Sequence, residues 1–334
     1  VQVADAALKP LTKAELKKVA RTIVLSQGNK YVRELLRKHQ ITMGLTKADF
    51  FRHMAKAIDE GLLTQPMIEE WLAEVEGWGN QHVYLYAPPT LAPARIEALL
   101  KASAHAPLLA SPVSYDFPDA LLMTGIVLDS ASLSLIWHLG AAGWERTKSK
   151  DFTSEEEGEL YRYDAYRERA DRSVVRFDWR FGEPYCAIFI QLPNSGSLHD
   201  GAIGTVFDDL AEAELIGEPL KRLALTEAVK RSSQDKKVIV QSTKMGAPGG
   251  YVEMAATAAG GINDIQAVRE ARKAVDDSLF SSADGMFGFV TGAQTGFTMP
   301  VKAQVYGAES RIRIWAQCTR EDVYRVVRYF WSKN

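Results

Sequence analysis

The chain has 334 residues, 46% of them hydrophobic, and its 40 Lys and Arg against 42 Asp and Glu leave a net charge of only -2. That is enough apolar material for two or three cored domains and argues against a disordered chain. No run of eighteen apolar residues and no charged-then-apolar leader is visible, so the expectation is a cytoplasmic globular protein with no membrane partner. Cys186 and Cys318, far apart and each in an apolar pattern, read as buried thiols rather than a disulfide framework.

The first quarter reads as four helices filling residues 12 to 77. Leu16, Val19, Ala20, Ile23 and Val24 form the apolar stripe of the first, which opens with Thr12 as N-cap and Glu15 three residues on. The second, from Lys30 to His39, puts Val32, Leu35 and Leu36 on one face and Lys30, Arg33, Arg37 and Lys38 on the others. After a short connector with Ile41 and Gly44, Thr46 and Asp49 make a second capping box for a helix that buries Phe50, Phe51, Met54 and Ile58. The fourth begins near Thr64 with Pro66 in its first turn, buries Ile68, Trp71, Leu72 and Val75, and ends at Gly77-Trp78-Gly79.

The stretch from Lys30 to Ile58 resembles the SAP family of helix-extended loop-helix DNA-binding modules. The match runs without gaps through Leu36, Ile41, Lys47, Phe50 and Met54. Two positions depart from it: the loop glycine is one place early, at Gly44, and His53 stands where a basic residue is usual near the end of the second helix. The resemblance covers under a tenth of the chain and implies contact with duplex DNA. Charge agrees, because twelve Lys and Arg face only three acids between Lys9 and Lys56, before Asp59, Glu60, Glu69, Glu70, Glu74 and Glu76 reverse the sign. So dense a cationic patch attracts phosphates over a Debye length of roughly 8 to 10 Å and releases counterions on contact.

From Gln81 the apolar period changes. His82 to Tyr86 reads as a strand, Pro88-Pro89 as a break, and Ala92 to His105 as an amphipathic helix. Strands are then expected at 121–128, 132–139, 159–166, 173–181 and 185–192, with turns at Asp129-Ser130, Ala170-Asp171 and Gly182-Glu183-Pro184 and a polar exposed loop at 149–158. Helices are expected at 202–215, 219–231 and 264–280, strands at 237–242, 252–257, 299–306 and 311–318, and a final helix capped by Thr319 and Asp322. The fold class is therefore α+β: an all-helical module over 1–79, then a mainly antiparallel sheet body with flanking helices, divided into 80–198 and 199–334, with two similar halves one form it can take. A helical module followed by such a body is loosely similar in architecture to the centromere protein N family.

Catalytic chemistry is not indicated. His39, His53, His82, His105, His138 and His199 show no paired ligand spacing, no cysteine cluster exists, and the Gly-rich turns lack the Lys-Ser/Thr of a phosphate loop, so no metal and no cofactor is expected. Asp178, Glu253 and Lys244 are the residues from which a metal-dependent nuclease centre would have to be assembled. Arg172, Arg176 and Arg180, four apart, share one strand face, and Arg311 and Arg313 share another; each set is either a solvated sheet face or a groove for nucleic acid or an acidic partner. The leading expectation is a non-enzymatic, largely sequence-independent DNA-binding protein, nucleoid or chromatin associated. Its backbone contacts would be Lys30, Arg33, Arg37, Lys38, Lys47 and the amides after Thr46, with Arg172, Arg176 and Arg180 as a second surface. The alternative is a protein-interaction or assembly subunit that docks through the helices.

Overall fold

The structure is a computed structural model and describes residues 10–26, 28–110, 118–191, 196–257, 259–273, 280–292 and 295–334. It is an α+β fold: four N-terminal helices followed by a ten-stranded antiparallel sheet with helices on both faces.

The helical module consists of α1 (Lys13–Ser26), α2 (Asn29–Lys38), α3 (Lys47–Asp59) and α4 (Gln65–Val75). Both anticipated capping boxes form. The Thr12 amide donates to Glu15 Oε2 at 2.8 Å while the Glu15 amide donates to Thr12 Oγ1 at 3.3 Å, and Thr46 and Asp49 exchange the same pair of bonds at the head of α3. The four apolar stripes meet in one core that includes Ile23, Leu36, Phe50, Met54, Ile68 and Trp71.

The module does not end in a free linker. Gly77 and Gly79 both adopt a left-handed backbone, with φ of 78°, and Trp78 between them is buried in the core of the body. At Gly79 a Cβ would lie 2.5 Å from the Cys318 amide nitrogen and 2.6 Å from the Ala316 carbonyl oxygen, so glycine is needed for closeness as well as for φ. The chain then enters β1 (Gln81–Tyr86), buried along its whole length.

The body follows as α5 (Pro93–Ala102), β2 (Leu122–Leu128), β3 (Ser132–Arg146), β4 (Phe152–Glu156), β5 (Glu159–Tyr163), β6 (Tyr166–Arg180), β7 (Cys186–Ile190), α6 (Gly196–Glu212) and α7 (Thr226–Ser232). It continues through β8 (Ile239–Ala247), β9 (Gly250–Ala255), α8 (Gln266–Lys273), β10 (Ser282–Phe289), β11 (Val301–Tyr306), β12 (Arg311–Ile314) and α9 (Arg320–Ser332). Sheet order is β2-β3-β6-β7-β1-β12-β11-β10-β8-β9. Two meanders, β2-β3-β6-β7 ending in α6 and β8-β10-β11-β12 ending in α9, thus flank β1, which is antiparallel to both β7 and β12. One continuous sheet therefore crosses residue 198.

Alternation along β1 sorts the two cores. Tyr84 and Tyr86 face Ile203, Val206 and Leu210 of α6, while Val83 and Leu85 face Val323, Val326, Val327 and Phe330 of α9. A half-turn about β1 carries one meander and its helix onto the other in topology, which places α6 and α9 on opposite faces. Each half is thus covered on one face by its own terminal helix.

Several expected boundaries move. No turn forms at Ala170-Asp171, because β6 pairs with β3 all the way from Arg180 to Tyr166. Within 149–158 the chain forms β4, which pairs with β5 as a separate hairpin exposed nearly everywhere and so carries no buried alternation to read. Residues 219–225 are non-helical, with Arg222 bridging to Tyr86, and only Thr226–Ser232 is α-helix. The expected helix over 264–280 is α8 for 266–273; residues 274–279 lie outside the described ones. Strand β10 was not anticipated, since Gly285 interrupts the apolar series of its buried face and Met286 stands on the opposite one.

Candidate nucleic-acid interface

The α2 surface is built by burying Val32, Leu35 and Leu36, which turns Lys30, Arg37 and Lys38 to solvent. Lys38 lies 3.5 Å from Glu70, with more than half of both side chains exposed, a pairing of little strength. Among the described residues, Lys30 and Arg37 have no ion pair. Arg33 is half-buried: it donates to the Leu45 carbonyl at 3.2 Å, and its guanidinium lies 5.7 Å from the Phe50 ring centroid. It braces the connector between α2 and α3.

The head of α3 is already supplied with negative charge. Asp49 Oδ2 accepts from the amides of Leu45 at 3.3 Å and Thr46 at 3.1 Å and from Thr46 Oγ1 at 2.9 Å. Those bonds, led by the Thr46 amide, hold the Asp49 carboxyl below its usual pKa range, so it is ionised at the positive end of the helix dipole. The amides of Lys47 and Ala48, the first two of the helix, have no intrahelical partner. Lys47 itself turns inward, its Nζ donating to the Leu25 carbonyl at 3.1 Å and to Gln317 Oε1 at 3.4 Å, while Gln317 Nε2 donates to the same carbonyl at 2.7 Å. Burial lowers the Lys47 pKa. The cation in the first turn of α3 thus has a structural partner, and it ties the module to the segment before α9.

The sheet arginines share a face, as their spacing requires, but that face is covered. Arg172 and Arg176 are 8% and 9% exposed. Arg172 makes a bidentate pair with Glu76, at 2.5 Å from Nε and 2.7 Å from the terminal nitrogen. His138 Nε2 lies 3.3 Å from the same carboxylate, and its Nδ1 is 2.6 Å from Thr124 Oγ1. Burial alone would raise the Glu76 pKa, but Arg172 and His138 hold it down at about 2. Arg176 stacks 4.6 Å from the Trp78 ring centroid and reaches Ser134 Oγ at 3.4 Å. Arg180, partly exposed, lies 3.9 Å from the Tyr324 ring centroid, and the Tyr324 hydroxyl donates to Asp178. The end of α4 and Trp78 cover this sheet face, so it is neither solvated nor an open groove at Arg172 and Arg176.

A second cationic surface lies on the opposite face of the other half. Register aligns Asp284, Tyr306, Arg311 and Tyr84 in one row and Met286, Gln304, Arg313 and His82 in the next. Toward β12 and β11 the rows are only partly covered: Arg311 lies 3.8 Å from the Tyr306 ring centroid, Arg313 lies 3.4 Å from that of Trp315, and Lys302 is exposed. Toward β1 they dive under α6, where the His82 and His199 rings are 4.5 Å apart and Tyr84 Oη is 2.9 Å from His199 Nδ1. Burial, then His199 and the two arginines, push the His82 pKa down to about 3. Lys302, Tyr306 and Trp315 were not singled out from sequence, although their alternation with buried residues in β11 and β12 is the signal that finds them.

The nuclease set is not assembled. Asp178 is buried in β6, while Lys244 and Glu253 pair across β8 and β9 at the far edge of the sheet. Seven strand spacings separate β6 from β9, about 34 Å at the usual interval. A cleft of about 580 Å³ runs between the Pro88-Pro89 loop and residues 214–221, and its charged lining mixes Arg95 and Lys221 with Glu214 and Glu218. No helix among the described residues is long and apolar enough to cross a membrane. Compared with known proteins, the chain matches no family model, and no curated protein is significantly similar to it.

Proposed function

We propose that this protein is a non-enzymatic, largely sequence-independent nucleic-acid-binding protein that grips the phosphate backbone of duplex DNA through the outward face of α2. The observation that carries this reading is the state of the cations. Lys47, Arg172 and Arg176 each have a structural task, whereas Lys30 and Arg37 stand exposed with no acidic partner among the described residues, beside the weakly held Lys38. The resemblance to the SAP pattern over the same two helices supports it. Within this reading Lys30, Arg37 and Lys38 touch phosphates, Arg33 and Thr46 shape the connector, and Lys47 fixes the module against the body. The paired Arg172 and Arg176, with Arg180, hold the sheet beneath it.

Absence of a base-reading pattern implies an affinity on the order of 10⁻⁴ to 10⁻⁶ M at physiological salt. A gel shift of the full chain on two unrelated duplexes, at low and moderate salt, tests the proposal. Retention of both at low salt and loss of both at moderate salt is the expected result. No retention at low salt would move the helical face to the assembly reading, in which it docks a protein.

A further inference from the structure

Above the first meander the fold gathers three side chains that the nucleic-acid reading does not use. Asp209 and Glu212 are three residues apart near the end of α6 and so share one side of that helix. His105 comes from the turn after α5, a hundred residues earlier in the chain. One ligand atom from each of the three lies within 4.8 Å of the others, and this is the one such group of His, Cys, Asp and Glu among the described residues.

Three independent features point to a cation here. The Trp137 indole N–H donates to Asp209 Oδ2 at 2.6 Å, which orients the carboxylate and leaves its second oxygen available. His105 Nε2 is closed to solvent and has no hydrogen-bond partner, an unfavourable state for an imidazole nitrogen unless something binds it. Asp208, Asp209 and Glu212 all lie at the C-terminal end of α6, whose last turn has no basic residue. Carboxylates there add to the negative end of the helix dipole instead of opposing it.

We propose that His105, Asp209 and Glu212 bind one divalent transition-metal ion of the zinc class. One imidazole nitrogen and two carboxylate oxygens suit Zn²⁺, whereas Ca²⁺ and Mg²⁺ need six or more oxygen ligands. Three protein ligands leave a position for water, and the exposed Glu212 side gives the ion a route in. The bound ion ties the turn after α5 to α6, closing the apolar core between that helix pair and the sheet. The site stands apart from α2, so its fate is independent of the nucleic-acid reading.

The test is titration of the chelator-stripped full chain with Zn²⁺, followed by calorimetry and thermal melting, beside Glu212→Gln and His105→Ala and with Mg²⁺ as comparator. Glu212 is exposed, so its replacement removes a ligand without disturbing the fold. One equivalent of Zn²⁺ is expected to bind, with Tm rising by about 4 °C at a hundredfold excess over Kd, and both variants should lose at least about tenfold in affinity. Absence of Zn²⁺ binding to the wild type, or an affinity retained in either variant, would overturn the proposal by leaving the trio unoccupied or placing the ion elsewhere.

Discussion

The outward face of α2 and the inward face of β6 each carry three cations: Lys30, Arg37 and Lys38 on the first, Arg172, Arg176 and Arg180 on the second. On α2 the charges stand in water with at most one weak partner. On β6 Arg172 and Arg176 are covered by the residues that follow α4, paired with Glu76 or stacked on Trp78, while the partly exposed Arg180 is laid over Tyr324 of α9. Lys30 and Arg37, seven apart on a helix, and the three arginines, four apart on a strand, each obey the periodicity of their element. What separates them is whether another part of the chain lies on top, and that is decided by Glu76, Gly77 and Trp78, a hundred residues upstream of β6. A cation with a full set of internal partners holds the fold, and one without them is available to a ligand.

This difference is open to direct attack, and the largest effect is expected at Arg172. Replacing it with alanine leaves the buried Glu76 carboxylate with only His138 beside it, so urea unfolding should show a loss of about 3–5 kcal/mol, while the joint replacement Arg172→Met, Glu76→Leu should recover much of it. A loss below about 1 kcal/mol would mean that the pair is open to water, and the contrast with α2 would fail. Acid provides the same test without mutation. The Glu76 pKa falls from 4.5 unfolded to about 2 folded, so the stabilisation is full above pH 4.5 and is lost as pH falls through 2. Wild type should therefore lose stability across that window more steeply than Glu76→Gln, as followed by circular dichroism. His82, neutral in the fold with its pKa at about 3 against 6.5 unfolded, adds a stabilisation that is full above pH 6.5 and declines below it.

Lys47 lies between the two extremes. Its bonds to Leu25 and Gln317 are partly exposed, so Lys47→Ala should cost about 1 kcal/mol, while DNA affinity at low salt changes little. A large fall in affinity with no change in stability would return Lys47 to the phosphate-contacting set. The smallest stability effects belong to Lys30→Ala and Arg37→Ala, each within about 0.5 kcal/mol in a thermal melt, as for surface positions generally. A bigger loss at either would show that α2 has a covered role after all.

The helical module was legible because its signals are local. Thr12 with Glu15 and Thr46 with Asp49 mark helix starts, and Ile23, Leu36, Phe50 and Trp71 mark the faces that meet. The α+β class and the hairpin of β11 and β12 were legible for the same reason. The covering of Arg172 and Arg176 was not, because it depends on non-local packing of Trp78 against Phe189 and Tyr324. Nor was Lys47, whose partner Gln317 is 270 positions away. Strand β10 escaped notice because Gly285 stands where the apolar alternation of Ala283, Phe287 and Phe289 would otherwise show, and β4 because neither of its faces is buried.

The central claim is that α2, and not the sheet arginines, carries the contact with DNA, and a salt titration of binding tests it most directly. For the wild type, log affinity should fall linearly with log salt, and the triple replacement of Lys30, Arg37 and Lys38 by alanine should flatten that slope by about 2.7, about 0.9 for each duplex phosphate that is no longer neutralised. An unchanged slope in the triple variant, or a wild type that does not bind duplex DNA at low salt, would contradict the account.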